Sequence, residues 1–389
     1  MRVTQSMLTQ NSLGYLSQSF KTLQTLQDQL ATGKKISRAS QDPVVAMNGM
    51  RYRTQVTEVQ QFNRNLSEVY NWMDNADATL DEATQAVQRV RELAVQAAND
   101  TYEETQRANI AKEVRQLREH LESLANTKSN NKYIFNGTNT TQAPVTSANF
   151  NVGFAGVAGE LNGLPDGAIE RGATAHVLTH NSERFVLAEK QGDQFTYQRV
   201  DPNTGELDPN KTITITAPGE DNQEILLNAN GETEELQDRQ VIVSMNNAVS
   251  TNGQTVNIEL LKGVTIPVNI RPENVFSTDF FGDLIQLERA LEDPNTSAEE
   301  LTKMIGNMDR QMEKIVNERA ELGARYNRVE MIDQRVQQQE VIARRTMSNN
   351  EDADIEKVIT ELLSAENIHR AALSSTSRIL QPTLMDFLR

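Results

Sequence analysis

Between residues 59 and 97, apolar side chains recur in three- and four-residue steps without a miss: Val59, Phe62, Leu66, Val69, Met73, Ala76, Leu80, Ala83, Val87, Val90, Ala94 and Ala97. No Gly or Pro interrupts them, and the spacing predicts one long helix with a coiled-coil stripe. Asp42 before Pro43 marks its start: a carboxylate can cap the first free N–H groups, and proline's missing N–H costs nothing there. From Val44 to Ala98 such a helix would run roughly 82 Å. A second stripe, Leu301, Ile305, Met308, Met312, Ile315, Leu322, Tyr326, Val329 and Val336, keeps the same frame, although Arg319 and Asp333 intrude on it. Its proline-free stretch, Ala298 to Ser348, would be about 77 Å long. Matched lengths predict antiparallel pairing around a core of Val59, Phe62, Leu66, Val69, Leu80, Val87, Val90, Leu322, Tyr326 and Val329. A shorter helix carries Ile110, Val114, Leu117, Leu121 and Leu124 on one face, with Thr105 near its start.

Two narrower stripes lie at the chain ends. One holds Leu13, Leu16, Phe20, Leu23, Leu26 and Leu30; the other holds Ile355, Val358, Leu362, Ala365, Ala372 and Ile379. Residues 1–41 carry one acid and five bases, whereas 351–389 carry seven acids and four bases. Opposite charge on two amphipathic ends predicts that they pair with each other. The layout is then nested: the chain runs out through two helical layers and returns through the same two.

At the far point of that excursion the pattern changes. From about Pro144 to Val275, short β-branched runs such as Thr212 to Thr216, Val241 to Ser244 and Thr255 to Ile270 alternate with turn clusters, among them Asn162-Gly163, Asp166-Gly167 and Asn252-Gly253. This predicts an inserted β-rich domain. Its 18 acids against 8 bases make it read as a solvated outer surface, an outward module that makes no essential contact with neighbouring subunits.

Composition narrows the function. Only 37% of the 389 residues are hydrophobic and 5% aromatic, which argues against one large core. A net charge of −16 argues against nucleic-acid binding. Cysteine is absent, so disulfides, thiolate metal sites and cysteine nucleophiles are excluded. No apolar run is long enough for a membrane span or a secretory leader, which predicts a cytosolic chain or one exported without a cleaved signal. His176 and His180 stand four apart, but in an apparent strand they would be roughly 13 Å apart and read as surface or strand-face residues. No glycine-rich phosphate loop, calcium loop or nucleophile–base pair emerges. No cofactor, metal or catalytic residue is therefore expected.

Three separated segments, in order, carry a resemblance to the flagellin superfamily. Thr32-Gly33-Lys34-Lys35-Ile36-Ser37-Arg38-Ala39-Ser40-Gln41-Asp42-Pro43 resembles the turn after its first helix. Glu318-Arg319-Ala320-Glu321-Leu322-Gly323-Ala324-Arg325 resembles its returning long helix, and Asp354 to Leu362 the start of its C-terminal helix. Within the superfamily, Pro43-Val44-Val45-Ala46-Met47, Lys132-Tyr133-Ile134-Phe135-Asn136-Gly137-Thr138 and the end Gln381 to Arg389 are similar to the hook–filament junction branch, the hook-associated protein 3 group.

The expected fold is thus mainly α: elongated, nested antiparallel coiled-coil helices from both chain ends with an inserted β-rich domain. The expected domains are terminal assembly segments 1–41 and 351–389, a long-helix rod 42–143 with 276–350, and an outer β-rich domain 144–275. The resemblance implies an extracellular, non-enzymatic subunit of the bacterial flagellum joining hook to filament, exported through the flagellar type III pathway after a transient cytoplasmic stage. It also implies a homo-oligomeric ring, neighbouring hook-associated protein and flagellin subunits as partners, and an export chaperone at the C-terminal segment. No nucleic acid or membrane insertion is expected. The terminal segments, including Leu13, Leu16, Phe20, Leu23, Leu26, Leu30, Ile355, Val358, Leu362, Ala365 and Ile379, should be unstructured in the free subunit and fold on assembly. The alternatives are filament flagellin and, from another class, a cytosolic coiled-coil signalling protein or chaperone.

Overall fold

The computed structural model describes residues 5–99, 104–170, 172–201, 204–218, 223–229 and 231–380. Its helices are α1 (Gln5–Thr32), α2 (Pro43–Ala97), α3 (Glu104–Ala125), α4 (Gly153–Asn162), α5 (Pro272–Val275), α6 (Thr278–Glu292), α7 (Ala298–Glu351) and α8 (Ile355–Leu380). The chain forms two compact units, residues 1–64 with 332–389 and residues 65–331. The fold is mainly helical: α1 packs on α8 and α2 on α7, and an antiparallel sheet is inserted between the outgoing and returning helices.

Local chemistry sets where the long helices begin. Asp42 Oδ1 accepts the amides of Val44 and Val45 at 3.0 and 3.1 Å, and Ser297 Oγ accepts that of Glu300 at 3.1 Å. With 55 and 54 residues, α2 and α7 match in length. In α2 every stripe residue from Val59 to Ala97 is buried except Phe62, which is half-buried. In α7 Leu301, Met308, Ile315, Leu322, Val329 and Val336 are buried, while Ile305 and Met312 are half-covered and Met304 and Gln311 fill the interior instead. Tyr326 is 36% exposed and meets Tyr70 edge-to-face at 5.4 Å.

Arg319, a flaw in the stripe as sequence, is a rung between the helices. Its guanidinium reaches Asp77 at 2.7 Å and Asp81 at 2.5 Å; Arg91 pairs with Asp309 at 2.5 Å. Within the other unit, Asn63 donates to Glu340 at 2.6 Å and Arg53 pairs with Glu351 at 2.7 Å. Apart from the buried Glu351 and the largely covered Glu340, these groups are roughly half exposed, and such exposed pairs individually contribute little to stability. What they fix is register, while the buried aliphatic residues supply the energy at about 1.5–3 kcal/mol each.

The inserted region opens with the hairpin β1 (Lys128–Ser129) and β2 (Lys132–Tyr133). Its main sheet contains β3 (Gly167–Ala168), β4 (His176–His180), β5 (Glu183–Gln191), β6 (Gln194–Val200), β7 (Leu207–Thr216), β8 (Glu224–Ala229), β9 (Glu232–Glu235) and β10 (Ile242–Met245). The order is β10-β4-β5-β6-β7-β8-β9, antiparallel throughout, with β3 on the edge of β5. A second hairpin, β11 (Asn257–Leu261) with β12 (Val264–Pro267), follows. Alternation puts Phe185, Leu187, Phe195, Tyr197, Ile213, Ile215, Ile225 and Leu227 on one face, covered by Phe154, Val157 and Leu161 of α4. The β4–β5 turn uses Asn181 and Ser182 at φ 49° and 63°, a left-handed pair suited to a tight hairpin.

This sheet does not stand apart from the helices of its own unit. It shares the 65–331 unit with α6, which is buried at twelve of its fifteen positions. Ser277 Oγ caps α6 by accepting the Phe280 amide at 3.3 Å, and α6 packs against α3 on one side and β4, β5 and β10 on the other. Contact is close enough that a Cβ on Gly282 would stand 2.2 Å from Thr179 Oγ1. Arg239, just before β10, pairs with Asp293 at 2.9 Å and Glu300 at 3.1 Å. Removing residues 145–273 would therefore uncover an apolar helix rather than release an appendage.

Asp283 of α6 ties three elements together. Its carboxylate accepts the Ser182 amide at 2.7 Å, Ser182 Oγ at 2.5 Å and Gln311 Nε2 at 2.7 Å. Burial raises its pKa to about 6; the hydrogen bonds from Ser182 and Gln311 oppose the rise, and nearby Asp279 adds to it.

Two outcomes follow. Gly282→Ala should destabilise the 65–331 unit by about 1–3 kcal/mol through overpacking against Thr179, read as a lower urea midpoint of fluorescence from Trp72, the chain's single tryptophan. For Asp283 the folded-state pKa lies above the free value, so its contribution to stability is fully present below about pH 4 and is lost as pH rises through about 6. Relative to Asp283→Asn, the wild-type chain should gain about 1 kcal/mol between pH 7 and pH 5. A constant difference over that interval would contradict this assignment.

Candidate assembly surface

In the unit formed by residues 1–64 and 332–389, α1 and α8 lie together. Few of their apolar side chains are consumed by this pairing. Leu23, Leu26 and Val358 are buried; Leu16, Leu362 and Ala365 are half-buried. Leu13 is 50% exposed, Phe20 61%, and Leu30 and Ile355 are exposed as well. The side chain of Ile379 and the segment Gln381 to Arg389 lie outside the described residues. Phe20 touches His369 of α8 at 6.2 Å between ring centres.

A short strap holds the outgoing and returning chains together where α1 and α8 end. Gly33, at φ +67°, turns the chain out of α1. Lys35 N then donates to Glu351 O at 2.7 Å and Ala353 N to Gly33 O at 2.9 Å, an isolated antiparallel bridge between Lys34 and Asp352. Lys34 Nζ reaches Asp352 at 2.6 Å, and its hydrogen bond, with that of Ser348, holds the Asp352 carboxyl below its usual range. Gly49 of α2 leaves room for Glu351, whose Oε1 would lie 2.9 Å from any added Cβ. The Thr32–Pro43 segment is thus the strap plus the cap of α2, and Asp354 caps α8 by accepting the Lys357 amide at 3.2 Å.

Exposed large apolar side chains concentrate in this unit. Of nineteen among the described residues, fifteen fall in residues 1–64 and 332–389 and four in residues 65–331. Besides the terminal residues above, they include Met7, Tyr15, Ile359, Leu363, Ile368 and Leu373 on α1 and α8, and Val44, Met47, Met50, Val341 and Ile342 on α2 and α7. Most stand out of frame with the helical stripes. That mismatch is the signal a stripe search discards: the helices have a second apolar face. Such a surface can bind another apolar helical surface, and holds no chemistry beyond that.

The 65–331 unit presents the opposite picture. Val59 belongs to the first unit, but Leu66, Val69, Leu80, Val87, Val90, Leu322 and Val329 are all buried here. His176 and His180, expected on a surface or strand face, are buried. His176 Nδ1 lies 2.7 Å from Glu160 and Nε2 2.9 Å from Tyr197 OH; His180 Nδ1 lies 2.8 Å from Gln240 O. Burial lowers both pKa values, leaving neutral structural histidines. Among the described residues there is no group of three His, Cys, Asp or Glu that could hold a metal, and no helix long and apolar enough to cross a membrane.

Known proteins share this arrangement. Residues 3–140 match the bacterial flagellin N-terminal helical region and residues 305–388 the bacterial flagellin C-terminal helical region. Flagellar hook-associated protein 3 of Salmonella typhimurium is 28% identical over 38% of this chain, a match spanning about half (47%) of that protein. Flagellin D of Vibrio cholerae is 23% identical over 94% of this chain and 93% of its own. A solved structure from Vibrio parahaemolyticus, described as a flagellar hook-associated protein, covers 80% of this chain and 100% of its own with a TM-score of 0.51 at 12% identity, a likeness of fold. The chain belongs to the flagellin superfamily and is a non-enzymatic, extracellular structural protein of the flagellar axis.

Proposed function

We propose that this subunit joins hook to filament as a homo-oligomeric ring, with hook-associated protein and flagellin subunits as its neighbours. The observation that carries an assembly role is the unequal exposure of apolar side chains, fifteen against four between the two units. The junction assignment draws on the Lys132–Thr138 segment, on the partial identity to hook-associated protein 3 and on the residues after Asp42. A filament role is the second reading, favoured by the full-length match to Flagellin D.

Energetics suggest how the termini act. Among the described side chains of α1 and α8, the three buried apolar ones offset little of the entropy of ordering two helices, at about 1–2 kcal/mol per residue for backbone alone. The α1–α8 pair is therefore marginal in the free subunit and becomes stable when neighbours cover Leu13, Phe20, Leu363 and Ile368. An export chaperone that binds the C-terminal segment would cover the same apolar positions of α8 before assembly.

Labelled antibody on purified flagella should mark a single band between hook and filament; uniform decoration along the filament would assign the chain to flagellin. The double variant Phe20→Ser, Leu363→Ser should keep the free subunit's stability within about 0.5 kcal/mol while losing incorporation into flagella. A large drop in the free subunit's thermal midpoint would show that these side chains serve the monomer.

A further inference from the structure

Beside the strap, in the unit formed by residues 1–64 and 332–389, lies a pocket of about 220 Å³. That is below the roughly 300–1,000 Å³ of small-molecule sites and suits side chains rather than a free ligand. Half-buried Ile36, Val45 and Ala46 with exposed Met50 form its apolar part, and Lys34, Arg38, Arg53 and Glu351 its charged part. Glu351 and Asp352 already hold Lys34, and Glu351 holds Arg53. Arg38 differs. Its backbone amide donates to Gln41 Oε1 at 3.2 Å, but its side chain is exposed and, among the described residues, its guanidinium makes no ion pair.

The same unit carries a complement to this pocket. On α8, Val358, Leu362 and Ala365 form the covered stripe, whereas Ile355, Ile359 and Leu363 follow at four-residue steps on another face and are 41%, 43% and 57% exposed. Glu356 lies seven residues before Leu363, hence at nearly the same helix angle. It is exposed and, among the described residues, also without an ion pair. Charge agrees with shape: residues 33–53 carry five bases and one acid, residues 354–366 four acids and one base. Both surfaces stay open in the isolated subunit, so the pocket is not filled by the α8 face of its own chain.

We propose that the strap pocket of one copy receives the Ile355–Leu363 face of α8 from a second copy, an aliphatic side chain entering beside Val45 and Met50 and Glu356 pairing with Arg38. This rests on the assembly role proposed above and names the partner of that surface. Pocket and helix face are different surfaces, so the contact runs head to tail: each copy gives one and takes one, and the series closes as a ring or continues as a helix. The aliphatic residues supply the affinity, and the charge pair sets orientation and partner choice.

The chain has no cysteine, so Arg38→Cys and Glu356→Cys placed together in one chain make a clean cross-linking reporter. In flagella purified from cells carrying this double variant, a short bis-maleimide should give a ladder of covalent oligomers of this chain, and each single variant no ladder. Cross-links confined within single chains, cross-links to a different flagellar protein, or none at all would overturn the proposal. Charge exchange decides the matter should the double variant fail to assemble. Arg38→Glu alone and Glu356→Arg alone should each lower incorporation at least about tenfold with the free subunit's thermal midpoint unchanged. Producing the two variants in one cell should restore most of it, because each then supplies the charge that the other lacks. Undiminished incorporation of either variant, or no recovery in the mixture, would contradict the contact. Antibody labelling tests the junction reading separately: a ladder from uniformly decorated filaments keeps this contact and moves the chain to the filament.

Discussion

The antiparallel pairing of α2 with α7 is the constraint on which the remaining structure depends. Two helices of 55 and 54 residues can share a continuous apolar seam only in one register, since a shift of one position rotates each stripe away from the other. The seam gives the energy, and the arginine rungs select the register: Arg319 between Asp77 and Asp81, and Arg91 on Asp309. Within the other unit, Lys34 meets Asp352 and α1 meets α8. The α3–α6 layer likewise finds its place, locked by Arg115 and Arg118 on Glu288.

The two units divide the work. Among the described residues, 65–331 leave only four large apolar side chains exposed and bury an aspartate held by Ser182 and Gln311 as well as His176 and His180. Residues 1–64 with 332–389 do not, and their helices present apolar side chains on faces that no described part of their own chain covers. A protein stable alone has no reason to keep this arrangement; a subunit completed by its neighbours does.

Helical periodicity made the long helices legible, because a stripe such as Leu66 to Val90 needs only local sequence to be seen, and Asp42-Pro43 announced its start. The β4 strand and several turns were legible for the same reason. The α6 helix was missed although Ser277 and the run Phe280, Phe281, Leu284, Leu287 signal a capped helix. It is apolar almost all round, so it has no contrast between faces. In α4, three glycines in ten residues hide the Phe154, Val157, Leu161 face. Acidic composition reports the solvated side of the sheet and says nothing of the end buried on α6. The strap between Lys34 and Asp352 joins residues too far apart for any local pattern, and the exposed methionines of α2 lay outside the stripe that defined the helix.

Hydrogen exchange on the free subunit, followed amide by amide and repeated on assembled flagella, tests the central claim most directly. If neighbours complete the terminal helices, amides of α1 and α8 should exchange at least about a hundredfold faster than those of Leu66 to Val90 in the free subunit and become protected on assembly. Equal protection of α1, α8 and the Leu66–Val90 stretch in the free subunit would contradict it.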